Sequence, residues 1–152
     1  MNNSLQQGIQ PVFPEDYPRL LEIWEASVRA THHFLSETDI QSLKPLVRDH
    51  AFDAVSLFCM RDADHQPVGF IGTHEGKIEM LFIDPLWRGK KVGRQLMAYA
   101  IDTVGATTVD VNEQNEQAVG FYEKLGFQSI GRSALDGQGN PFPLLHMELR
   151  RF

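Results

Sequence analysis

The chain has 152 residues, 42% of them hydrophobic, and carries 14 basic against 20 acidic residues for a net charge of −6. That size predicts a single domain over residues 1–152, and that composition excludes a disordered or collagen-like chain. The acidic balance argues against a sequence-independent nucleic-acid binder, and one cysteine, Cys59, excludes internal disulfides and any zinc site built on several cysteines.

In chain order, residues 9–13 read as a weak first strand, stopped by Pro14. Asp16 is placed to cap a helix that tolerates Pro18 in its first turn. Leu20, Ile23, Trp24, Ser27, Val28 and Thr31 then recur at helical spacing. A second helix starts at Ser36, where Ser-x-x-Asp resembles a capping box, and Pro45 predicts a kink or two short helices.

Three strands follow at 54–61 (AVSLFCMR), 67–73 (PVGFIGT) and 77–83 (KIEMLFI). Their short turns predict an antiparallel meander. A helix from about Lys91 ends at Gly105. A strand at 107–111, a helix at 114–125, and strands at 127–132 and 144–149 complete the chain. A strand, a crossover helix and another strand demand a parallel pair in the centre, so the sheet is mixed.

Two stretches carry chemistry. LFIDPLWRGKKVGR (81–94) joins a strand to a helix and packs Arg88, Lys90, Lys91 and Arg94 into seven positions. Gly89 and Gly93 allow close backbone approach, and a helix N-terminus offers unpaired N–H groups to an anion such as a pyrophosphate. A solvated basic turn is the plainer alternative. In NEQAVGFYEKLGF (115–127), Asn115, Ala118 and Tyr122 share one helical face. They suit the wall of a ligand groove, although a lone Tyr is also a common core residue. No GxGxxG, P-loop, GxSxG or HExxH is present.

Taken together, the two stretches resemble the GNAT superfamily of acetyl-CoA-dependent N-acetyltransferases. The family's pyrophosphate loop, Arg/Gln-x-x-Gly-x-Gly/Ala, aligns with Arg88-Gly89-Lys90-Lys91-Val92-Gly93. Its later helix, Asn-x-x-Ala-x-x-x-Tyr-x-x-x-Gly-Phe, matches Asn115, Ala118, Tyr122, Gly126 and Phe127. Lys91 departs from the pattern by replacing the loop's middle glycine. A side chain there is costly if φ must be positive.

The resemblance implies an α/β fold: a mixed, mostly antiparallel sheet with helices on both faces and a central splayed parallel strand pair. It implies acetyl-CoA as co-substrate and no metal. Leu81, Phe82 and Ile83 would meet the pantetheine arm. Arg88, Gly89, Lys90, Lys91, Val92, Gly93 and Arg94 would hold the pyrophosphate, and Asn115 would contact the arm from the facing helix.

The implied reaction is direct attack of an amine on the thioester in a ternary complex. Tyr122, a phenol with an ordinary pKa near ~10, starts protonated and can act as general acid to the leaving thiolate. Glu79 is the expected base, on the reading that it shares a strand face with Leu81 and Ile83; Asp110 and Asn112 are its rivals. Trp24, His33 and Phe34 are expected to line the acceptor pocket. Cys59, in an apolar run without a neighbouring base, is a poor acyl carrier.

The acceptor is a small-molecule amine or a protein amino group. The competing reading is a non-catalytic acyl-CoA-binding regulatory module. No apolar run approaches the ~20 residues of a membrane span, and MNNSLQQGIQ lacks the features of a secretory signal. A cytoplasmic monomer or homodimer, with no membrane or nucleic-acid partner, is expected.

Overall fold

The computed structural model describes residues 4–150. Along the chain run β1 (Gln10–Pro11), α1 (Tyr17–Thr31), α2 (Glu37–Leu46), β2 (Ser56–Arg61), β3 (Pro67–His74) and β4 (Lys77–Ile83). They are followed by α3 (Val92–Tyr99), β5 (Thr108–Asn112), α4 (Glu116–Lys124), β6 (Phe127–Ser133) and β7 (Leu144–Leu149).

The strands make one sheet in the order β1-β2-β3-β4-β5-β7-β6. Every neighbouring pair is antiparallel except β4 and β5. That parallel pair is short: Lys77 faces Thr108 and Ile78 faces Val109, and pairing then stops. The central opening therefore begins at Glu79 on one side and Asp110 on the other.

Helices cover both faces of the sheet. On one face α3 and α4 pack Val92, Leu96, Met97 and Tyr122 against Ile71, Ile78, Val109, Val111 and Met147. On the other, α1 and α2 pack Leu20, Ile23, Trp24, Val28 and Ile40 against Cys59 and Phe70. Each such side chain, fully buried, contributes about 1.5–3 kcal/mol of transfer free energy. Trp24 is only 5% exposed and belongs to this second core, so its predicted place on a pocket wall is corrected to a place between helix and sheet.

The local signals act where expected, with one difference. Ser36 Oγ accepts from Asp39 N–H at 3.1 Å, and Asp39 returns a bond to Ser36 N–H at 2.9 Å, closing the capping box. Asp16, by contrast, does not cap α1. Its carboxylate accepts from Phe13 N–H at 2.9 Å and takes both terminal nitrogens of the buried Arg61 at 2.9 Å. Past Pro45, α2 ends at Leu46 and continues as a wide turn over Val47–Ala51. The proline cannot donate a backbone hydrogen bond.

One irregularity positions the centre of the sheet. Ile78 faces Thr73, but Met80 faces Gly72, so Glu79 is an extra residue in β4. The bulge breaks the two-residue alternation. Ile78, Leu81 and Ile83 join the α3/α4 core, while Met80 and Phe82 join the α1/α2 core. Among the described residues no helix is long and apolar enough to cross a membrane.

Candidate functional site

A cleft of about 410 Å³ opens beside the end of β4. Leu81, Phe82 and Ile83 form its floor, and Asn115, Gln117, Ala118, Phe121 and Tyr122 bring one wall from α4 and its cap. Arg88, Gly89, Lys91, Val92, Gly93 and Arg94 turn around one end, with Trp87 beside them. Ser27, Thr31 and His32, from the end of α1, close the far side.

The turn before α3 is shaped by left-handed backbone. Gly89 has φ 74° and Lys91 has φ 65°. Lys91 is the N-cap of α3 and makes no side-chain cap bond. The first helical bond runs from Gln95 N–H to the Lys91 carbonyl at 3.1 Å. The N–H groups of Val92, Gly93 and Arg94 thus form the helix's unpaired first turn, with the positive end of its dipole. A Cβ on Gly93 would make ordinary contact with Phe121 at 3.5 Å and Ile83 at 3.8 Å, two residues of the cleft lining. Exposed Arg88, Lys91 and Arg94 add positive charge. Lys90 does not line the cleft; its ammonium lies 6.0 Å from the centre of the Trp87 ring.

The approach to this turn is braced from α1. Arg19 donates to Asp84 at 2.7 Å and to the Pro67 carbonyl at 2.9 Å. Asp84, only 8% exposed, accepts from Leu86 N–H at 3.0 Å and so sets the short turn Pro85–Trp87.

Tyr122 is 7% exposed, with its ring edge-on to Phe121 and Phe127. Burial pushes its hydroxyl well above the ordinary phenol range, so it is protonated at neutral pH. Asn115 is first a helix cap: its side-chain carbonyl accepts from Ala118 N–H at 3.2 Å. Its NH2 and the second lone pair of its oxygen are left for a ligand.

The bulge moves Glu79 off the face of Leu81 and Ile83. It is exposed and lines a separate hollow with Ala51, His74 and Met80. The premise that placed it as the base is therefore corrected. Asp110 is a committed carboxylate. Burial alone would raise it, but Lys77 at 2.6 Å and His146 at 2.7 Å hold it below its ordinary range. Cys59 is fully buried, and burial pushes its thiol up to about 11, which removes it as an acyl carrier.

At the α1 end of the cleft the wall contains His32, not His33. His33 is exposed and outside the cleft wall; His32 lines it. α1 ends at Thr31 and His32 is its C-cap, with φ −100° and ψ 63°, so the chain leaves helical geometry between the two histidines. Phe34, also expected on the pocket wall, is not among the lining residues; its ring lies tilted by 50° against His32, with centroids 5.3 Å apart. Ser27, Gln117 and Phe121 were not singled out as site residues. Ser27 left one sequence signal, a polar residue on the apolar stripe of α1.

Residues 27–151 match the family model described as an acetyltransferase (GNAT) domain. The chain belongs to the GNAT family. It is an N-acetyltransferase. This GNAT chain is 43% identical over 133 residues to the peptidyl-lysine N-acetyltransferase YjaB of Salmonella typhimurium, covering 88% of this chain and 91% of that one. It is 45% identical to the protein of the same name from Escherichia coli, over 88% of this chain and 90% of that one. The solution structure of apo-form YjaB from Escherichia coli superposes with a TM-score of 0.84 at 42% identity, covering 93% and 95% of the two chains. The PaiA N-acetyltransferase of Thermoplasma acidophilum, solved with coenzyme A, shares the fold with a TM-score of 0.73 at 21% identity, covering 97% and 99%.

Proposed function

We propose that this enzyme transfers the acetyl group of acetyl-CoA to a lysine side-chain amine of a protein, by direct attack in a ternary complex. One observation carries the reading: a single cleft joins an anion cradle at the start of α3 to a buried, protonated tyrosine on α4. The names of the relatives supply the acceptor class.

The residues fit the co-substrate. Val92, Gly93 and Arg94 N–H groups, with Arg88 and Lys91, suit the pyrophosphate. The apolar floor of Leu81, Phe82 and Ile83 suits the pantetheine arm, and their strand has no pairing partner there on the β5 side. Bound acetyl-CoA would supply an acetyl thioester.

A free backbone N–H of β4 can stabilise negative charge developing on the carbonyl oxygen. The Tyr122 hydroxyl, protonated at neutral pH, can donate to the departing sulfur and so relieve the negative charge that builds there as the C–S bond breaks. The protein end of the substrate would enter past Phe34 and the end of α1.

Calorimetry with CoA tests the first half of this reading. Incubation with acetyl-CoA and a panel of lysine peptides, read by mass spectrometry, tests the second. Binding without acetyl transfer to any amine would leave the non-catalytic module as the function.

A further inference from the structure

We propose that His32 is the acceptor-side catalytic residue, taking the proton of the attacking amine on its Nε2 atom. This rests on the acetyl-transfer reading above.

The geometry starts one residue earlier. Thr31 Oγ1 lies 2.8 Å from the Ser27 carbonyl and 2.8 Å from His32 Nδ1. A hydroxyl has one proton. The Ser27 carbonyl can only accept, so Thr31 gives its proton there. Thr31 then has only a lone pair to offer the ring, and His32 Nδ1 must be the donor. In the neutral ring this fixes the tautomer: the proton sits on Nδ1 and the lone pair on Nε2.

Burial keeps the ring neutral. It pushes the imidazole down to about 4, with a smaller push from His33. The basic form is therefore present across the neutral range. The ring forms part of the cleft wall, and its Nδ1 edge is taken. Nε2 is the polar atom it has left. The Phe34 ring, itself packed against Phe142, limits how the imidazole can turn.

The step balances. As the amine nitrogen bonds to the acetyl carbon, the C–S bond breaks. One N–H proton passes to His32 Nε2, and the Tyr122 hydroxyl proton passes to sulfur. Products are the N-acetyl amine and the free thiol. His32 and Tyr122 then return to their starting forms through solvent. A base of low pKa can serve here because the amine becomes far more acidic as it attacks.

Substitutions at His32 and at Thr31 separate the ring's two edges. His32→Gln places an amide near Nε2 that can accept a hydrogen bond but cannot carry a proton. It should lower kcat by ~10²–10³ with the CoA Kd unchanged within about three-fold. Thr31→Val keeps the shape and removes the tautomer lock. It should lower kcat by about ten-fold, and Thr31→Ser should restore most of the loss. Melting temperature and CoA calorimetry on each variant report folding and cleft integrity.

His32→Ala in imidazole buffer gives a second readout. Turnover rising with free imidazole supports the proposal, since a packing role does not respond to added base. Unchanged kcat in His32→Gln overturns it. So does loss of CoA binding in step with kcat, which would make His32 part of the cofactor wall. If the wild-type protein binds no CoA, the acetyl-transfer reading falls first and this one with it.

Discussion

Phe34 and Phe142 meet with ring centroids 5.4 Å apart and planes tilted by 53°. One follows α1 and the other precedes β7, so this contact joins segments far apart in the chain beside His32 in the cleft wall. Aromatic pairs of this kind contribute about 0.5–1.5 kcal/mol beyond their buried area. Phe142→Ala should therefore loosen the acceptor entrance without touching the anion cradle. The acceptor KM should rise about five- to ten-fold while the acetyl-CoA KM stays constant. Equal rises in both would show that the contact supports the whole cleft.

Tyr122→Phe removes one oxygen and keeps the ring that packs on Phe121 and Phe127. It should lower kcat by ~10²–10⁴ and leave CoA affinity within a few-fold. Steady-state turnover and calorimetry separate the two effects. Turnover at the wild-type rate would assign the sulfur's proton to water.

Lys91 holds φ 65° without being glycine. A side chain in that region costs about 1 kcal/mol. Lys91→Gly should raise the unfolding free energy by up to about 1 kcal/mol, less whatever the extra freedom of glycine adds to the unfolded chain. CoA should bind a few-fold more weakly, because an ammonium at the cradle is lost. Added salt should narrow that gap, since exposed charges are screened. Tighter CoA binding would mean that Lys91 strains the loop and gives the phosphates nothing.

Asp16 and Arg61 form a nearly dry ion pair that ties the entry to α1 onto β2. The Arg61 hydrogen bond holds the Asp16 carboxyl below its ordinary value, against the opposing effect of burial. A carboxyl depressed in the folded state stabilises above its unfolded pKa, near ~3.9, and that stability is lost as pH falls through the lower folded value. Asp16→Asn should cost about 3–5 kcal/mol at pH 7, leaving Arg61 buried without its partner charge. The difference from wild type should shrink in denaturant titrations run below pH 4. A constant difference down to pH 2 would place the loss in packing.

Much of this protein was legible one segment at a time. The Ser36 box, the Gly105 stop at φ 85°, the alternation of β5 and the Asn115 to Phe127 spacing all depend on residues a few positions apart. So does the turn of basic and glycine residues at the start of α3. Those signals established the helices, most strands and the α4 half of the cleft, and they made a parallel central pair necessary.

Other features depend on a partner far along the chain. β7 inserts between β5 and β6 because antiparallel pairing satisfies its backbone on both sides, and nothing within residues 144–149 names those neighbours. The Glu79 bulge exists only relative to β3. One extra residue was enough to turn the expected base away from Leu81. Trp24 became core because it joins the buried cluster that also holds Phe52 and Phe70, between α1 and the sheet. His32 was separated from His33 by the end of α1 and by the bond to Thr31. Periodicity gives the direction of a side chain only while the backbone stays regular. At a bulge or a helix end, tertiary packing decides it.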